Sequence, residues 1–170
     1  IVLYGKLCER RANNKYGKVI QDFEEAFKYF KLSAKLGDPE GIFYYGKYHL
    51  LPHGLFTPNI DEGVRLIKLS ADKGYIEGLS LYAVHLLEGI HVPKDEKEGR
   101  RLTQIALEKG DLYAKYVYGF GLYHGTDGLE KDEEKGLSLI RESALAGCAA
   151  AEVDYLIEAS KYPEQIDIPK

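Results

Sequence analysis

Apolar residues recur at intervals of three and four along nearly the whole chain, a pattern that predicts amphipathic helices throughout. Ala26, Tyr29, Phe30, Ser33 and Ala34 follow the i, i+3, i+4, i+7, i+8 template of one buried helical face. The same template returns at Gly63, Leu66, Ile67, Ser70, Ala71 and at Gly136, Leu139, Ile140, Ser143, Ala144. Gly99, Leu102, Thr103, Ala106 and Leu107 repeat it with one polar intrusion. Each of these faces ends at a glycine, and those glycines, Gly37, Gly74, Gly110 and Gly147, are 37, 36 and 37 residues apart. A fixed period in this range predicts stacked supersecondary units rather than one globular core.

The register extends across each copy. Four residues after the closing glycine stands a small residue (Gly41, Gly78, Ala114, Ala151), and eight after it a tyrosine (Tyr45, Tyr82, Tyr118, Tyr155). The next position is Gly46, Ala83, Gly119 and then Leu156, where the pattern frays. Each copy thus holds two helices, A and B, with a small residue in the interior of each. Glycine in a helix interior costs about 1 kcal/mol against alanine, and what it permits is close approach of two helix backbones. The eighth-position tyrosines are taken as core.

Punctuation places the elements. The tail of a first A helix covers residues 1–12, and the stretch from Ala12 to Gln21, with Asn13, Asn14 and Gly17, reads as an enlarged loop. Asp22 is expected to cap the first B helix, Gly37 to end it in a left-handed conformation, and Asp38-Pro39-Glu40 to open the second A helix, which runs to about Leu51 before Pro52. Leu55 and Phe56 are expected to fold back over that helix pair. Further helices are predicted at 60–73, 76–89, 95–109, 112–125, 132–146 and 149–160, and the tail 161–170 is expected to be extended. The copies are about 1–37, 38–74, 75–110, 111–147 and a partial 148–160. Because Tyr4 and Gly5 already occupy the Tyr-Gly positions of an A helix, the chain reads as a fragment.

The framework of a small residue, a large apolar residue and a glycine in helix A, an Asp opening of helix B (Asp22, Asp95 and Asp132, but Asn59 in the second copy) and the glycine close resembles the Sel-one-like repeat (SLR), a relative of the tetratricopeptide repeat. The family's frequent tryptophan is here Tyr29, Leu66, Leu102 and Leu139, swaps that leave packing details open. The resemblance covers about residues 1–160. It implies an all-α, right-handed superhelical α-solenoid that works as a protein-protein interaction scaffold or adaptor. A more specific implication is the substrate-recruiting adaptor of an endoplasmic-reticulum ubiquitin-ligase complex, which needs a signal peptide upstream and an anchor downstream.

Composition narrows the partners. A net charge of −4 lacks the basic surplus of a nucleic-acid binder, and no apolar run reaches the ~18 residues of a membrane span. The absence of an Asn-x-Ser/Thr sequon favours the cytoplasm over the endoplasmic-reticulum lumen. Cys8 and Cys148 fall more than three repeats apart, on the order of 30 Å for helices stacked ~8–10 Å apart, beyond disulfide reach. That sets the chain apart from the cysteine-rich bacterial branch of the family.

Catalytic motifs are missing: the sequence has no HExxH, CxxC, GxSxG or P-loop. His49 and His53 have zinc-like i, i+4 spacing, but Pro52 falls between them. Gly119, Gly121 and Gly125 nearly spell a dinucleotide fingerprint yet follow no strand, so they read as helix packing and cap. Neither a catalytic residue, a metal nor a cofactor is expected. A hydrolase remains the competing class, since triad residues meet in space rather than in sequence.

In a two-helix solenoid the A helices line the concave face. Positions just before and two after the eighth-position tyrosine point outward: Tyr44 and Lys47, Leu81 and Val84, Val117 and Phe120, Asp154 and Ile157, with Ser80, Tyr116 and Tyr123 flanking. Most are apolar or aromatic, as a groove for a partner peptide requires. The expected partner-binding set is Tyr44, Lys47, Leu81, Val84, Tyr116, Val117, Phe120 and Tyr123. Packing between neighbouring A helices is the competing use for each of them.

Overall fold

The computed structural model describes residues 1–14, 19–50 and 57–161. Among them the secondary structure is entirely helical: α1 (Val2–Asn14), α2 (Val19–Lys35), α3 (Pro39–Leu50), α4 (Ile60–Asp72), α5 (Ile76–Glu88), α6 (Glu96–Glu108), α7 (Leu112–His124), α8 (Glu133–Leu145) and α9 (Ala149–Lys161). Odd-numbered helices are the A elements and even-numbered ones the B elements. Consecutive helices pack on each other throughout, and α3 also touches α5, α5 touches α7, and α7 touches α9. The A helices therefore form the inner layer, with the B helices seated outside them in an all-α solenoid.

The helix boundaries follow from local chemistry. Asn59, Asp95 and Asp132 are N-caps whose side chains accept from the backbone N–H three residues on, at 3.1, 3.0 and 3.0 Å. Glu133 and Glu134 follow in the first turn of α8, where the helix dipole favours acid. Replacing Asp132 by alanine should cost about 1 kcal/mol in urea unfolding, since Lys135 N–H then loses its acceptor. At the other end, Gly37, Gly74, Gly110 and Gly147 all take positive φ (80, 82, 83 and 96°). The residue after each donates to the carbonyl five back, as Asp38 to Ser33 and Cys148 to Ser143, which is the Schellman pattern.

Small residues meet across each helix pair. A Cβ on Gly63 would lie 3.1 Å from the Gly46 carbonyl oxygen, one on Gly99 3.2 Å from that of Ala83, and one on Gly136 2.7 Å from that of Gly119. Between these contacts sits the expected strip of B-helix residues, with Phe30, Ile67, Thr103 and Ile140 at 0, 0, 4 and 2% exposure. The polar intrusion at Thr103 is satisfied inside its own helix, its hydroxyl donating to Gly99 O at 3.0 Å. Ser70 and Ser143 instead donate to Pro39 O and Leu112 O, at 2.7 and 2.6 Å, tying each B helix to the start of the A helix before it.

Three expectations need correction. The stretch 12–21 is not all loop, since its described residues are helical: α1 continues to Asn14 and α2 begins at Val19. Nothing between Val19 and Asp22 is a helix breaker, so the extra residues lengthen the helices and Asp22 falls inside α2 rather than capping it. Next, the eighth-position tyrosines are only half-buried. Tyr45 packs on Phe27 of α2 at 5.3 Å, Tyr82 lines a cleft with residues of α4 and α6, and Tyr118 one with residues of α6. They fill seams beside the B helices, while the small residue that follows each faces the partner helix. Finally, Ser80 does not flank the groove; it is 1% exposed and donates to the Asp111 carboxylate at 2.5 Å. Leu55, Phe56 and the tail 162–170 lie outside the described residues.

Candidate functional site: the inner groove of the A helices

The eight groove residues divide by what they touch. Tyr44, on α3, is half-buried with its ring stacked on Phe30 at 4.8 Å and 17°. Burial pushes its phenol pKa up, partly opposed by the Lys6 ammonium. Its ring is thus a wall of the joint between the first two repeats. Lys47, one turn on, holds its ammonium 5.6 Å from the ring centres of both Phe43 and Tyr44. Leu81 is half-buried on α5.

Val84, Tyr116, Val117 and Phe120 come together. With Leu87, Glu88, Tyr113 and Asp127 they line a cleft of about 190 Å³ between α5 and α7. The cleft wall on α7 is a ladder of rings: Tyr113 to Tyr116 at 5.9 Å, Tyr116 to Phe120 at 6.0 Å and Phe120 to His124 at 4.3 Å. Spacing of three and four residues puts them on one helical face. Tyr116 also serves the neighbouring A helix, its hydroxyl donating to Asp154 of α9 at 2.6 Å. Burial, then that bond, drives its pKa far up, so the phenol stays protonated and keeps donating. Tyr123 donates likewise to Glu158 at 2.8 Å and belongs to the α7–α9 joint.

The cleft's acidic rim escaped the sequence reading. Asp127 reaches it because the turn after α7 carries positive φ at Asp127 and Gly128 (57 and 67°), and because Arg100 clasps the Asp127 carbonyl. The Asp-Gly pair was the available signal for that turn. Glu88, last residue of α5, had no such signal.

Two larger clefts, of about 440 and 340 Å³, lie in the seams beside the B helices. Four charged residues in the larger are paired with each other, Lys68 with Asp72 and Arg101 with Glu98, both at 2.7 Å, and Asp95 caps α6. Such internal pairing leaves little charge for a partner.

Among the described residues no metal site emerges from the histidines. His53 lies outside the described residues, and His49 packs against Phe27 and Tyr45 at 6.0 and 4.7 Å, where burial pushes its pKa down. No group of three or more potential metal ligands occurs among the described residues. Gly119 faces α8, Gly121 faces Leu129, and Gly125 ends α7 with φ 67°, so the near-fingerprint is packing and cap, as expected. Among the described residues no helix is long and apolar enough to cross a membrane. Cys8, in α1, and Cys148, just before α9, are not joined in a disulfide.

Solved structures share this architecture. A Sel1 repeat protein of Oxalobacter formigenes aligns with a TM-score of 0.56 at 24% identity, over 75% of this chain and 94% of its own. A protective antigen of uropathogenic Escherichia coli displaying an SLR fold gives 0.66 at 20% identity, covering 91% of this chain and 32% of the antigen. Cysteine rich protein B of Helicobacter pylori gives 0.52 at 17% identity over 79% and 96%. Comparison with curated proteins gives no match. The Sel1 repeat model matches four consecutive segments, 7–38, 39–75, 76–111 and 112–148, each ending on the residue after a left-handed glycine. By those four matches the chain belongs to the Sel1 repeat family.

Proposed function

We propose that this chain is a scaffold that binds a partner protein through a peptide segment laid in the groove of its A helices. Sel1 repeat proteins generally act as protein-interaction scaffolds. The observation that carries the reading for this chain is the gathering of Val84, Tyr116, Val117 and Phe120 around one cleft between α5 and α7. Its walls are apolar and aromatic, its helices are held by backbone-level packing, and a rigid aromatic wall offers contact area at low entropic cost. The groove residues that join repeats, Tyr44 and Tyr123, act as its frame.

Phe120→Ala should weaken binding of the partner segment about tenfold or more, because a half-buried aromatic anchor is the residue type that dominates such contacts. Isothermal titration with a bound peptide, alongside circular dichroism to confirm unchanged helicity, measures it. Affinity that stays the same in a folded Phe120→Ala variant would place the binding surface elsewhere. Tyr44→Ala should act differently, lowering stability as well as affinity, since its ring also supports Phe30.

A further inference from the structure

We infer that the groove is electrically polarised along the superhelix, and that it selects a peptide with an acidic residue about six positions from an apolar anchor and a basic residue beside that anchor. This rests on the groove being the binding surface. Lys47, Val84 and Phe120 each stand ten residues after a closing glycine, so they share one register on three successive A helices, α3, α5 and α7. They form a row across the groove.

The α3 end of the row is cationic. Lys47 faces two aromatic rings, and among the described residues no carboxylate lies within salt-bridge distance of it. The neighbouring cation, Lys6, is already paired with Glu40. Of these two cations Lys47 is the one left to meet an incoming acid, and its aromatic bed removes water from one side of the ammonium.

The α7 end is anionic. Glu88 and Asp127 sit on the rim of the cleft beside Phe120. Asp154, on α9, accepts from the Tyr116 hydroxyl, a neutral donor that leaves the carboxylate charge uncancelled. Among the described residues no lysine, arginine or histidine lies within salt-bridge distance of the Glu88, Asp127 or Asp154 carboxylates; Lys94, whose charge reaches Glu88 and Asp127, is paired with Glu96, and Arg100 is held on the Asp127 carbonyl. A peptide cation next to the anchor would meet the carboxylates of Glu88 and Asp127; a peptide acid there would be repelled by both.

Spacing follows from the fold. Adjacent packed helices are ~8–10 Å apart, so Lys47 and Phe120, two A helices apart, stand about 20 Å from each other. An extended chain advances about 3.3 Å per residue, which gives the separation of about six. Groove-rim charges contribute modestly to affinity and strongly to register and discrimination.

The test uses the full 170-residue chain as bait for a phage-displayed random twelve-residue library, with the Phe120→Ala variant as counter-selection. Selected sequences are expected to carry Asp or Glu about six residues from an apolar anchor, with Lys or Arg next to the anchor. In a synthetic peptide from that set, exchanging the acidic and basic residues should weaken affinity about tenfold at low salt, less at high salt. Lys47→Glu should recover part of that loss for the exchanged peptide, with Lys47→Gln in between. Phe120-dependent peptides that show no charge order, or an exchange that changes affinity less than twofold, would overturn the polarity and leave the groove reading standing. If no selected peptide depends on Phe120, both fall.

Discussion

Phe30→Ala should destabilise the first two helices by about 4 kcal/mol, the middle of the range for emptying a buried aromatic site. Phe30 is 0% exposed, and its ring touches two neighbouring helices, α1 and α3, at once. A Cβ built on Gly5 of α1 would lie 2.5 to 2.9 Å from its carbons, Tyr44 stacks on it at 4.8 Å and Tyr48 meets it at 5.5 Å. The glycine is what lets the ring reach the α1 backbone, so alanine at position 30 leaves a void that α1 can close only by sliding. Because each repeat touches only its neighbours, the loss should stay local. Hydrogen exchange should accelerate in residues 2–10 and 23–35 while α7 and α8 keep their protection. A uniform loss along the chain, or one below about 2 kcal/mol, would contradict the packing described.

The part of this fold that was legible in the sequence is the part fixed by backbone chemistry. A glycine that must take positive φ, an aspartate that must accept from a helix N-terminus and a small residue that must admit another backbone each leave a one-letter trace. From α4 to α9 those traces place helix ends within a residue or two. The first repeat misled because Asp22 has the right identity in the wrong context: with no breaker between Val19 and Asp22, α2 starts at Val19. The tyrosines misled for a different reason. An A helix has two contact faces, one toward its own B helix and one toward neighbouring repeats, and periodicity records both as a single apolar stripe. Tyr45, Tyr82 and Tyr118 belong to the second face.

The groove was half legible for the same reason. Val84, Val117 and Phe120 line the cleft at positions that register alone gives, because the register is set by the glycines. That Tyr44 and Tyr123 would be drawn into joints between repeats depended on particular partners, Phe30 and Glu158, far away in sequence. The acidic rim depended on a turn geometry and on the end of α5, neither of which the repeat period describes. Chemistry that departs from the repeat is therefore what the period leaves unread, and the acidic rim lies in that category.

Gly136→Ala should lower stability by about 2 kcal/mol, although alanine is worth about 1 kcal/mol more than glycine in an unhindered helix. The sign is decided by what the new methyl meets. It would lie 2.5 Å from Tyr123 N, 2.7 Å from Gly119 O and 2.8 Å from Tyr123 Cα, all backbone atoms of α7 that cannot rotate away. Accommodation requires α7 and α8 to separate, and α7 carries the Tyr116 and Phe120 wall, so binding should weaken along with stability. Gly63→Ala is the control. There the nearest atoms are Leu50 Cδ2 and Cγ at 2.7 and 2.9 Å, the end of a flexible side chain, and the facing carbonyl of Gly46 is 3.1 Å away. Its loss should stay below about 1 kcal/mol because a rotamer change gives the room and helix propensity offsets part of the cost. Urea midpoints of the two variants against the parent measure the difference. If Gly136→Ala proved as mild as Gly63→Ala, the two backbones would have to stand further apart than described, and the reason for a glycine at this register in three of the four B helices would be lost.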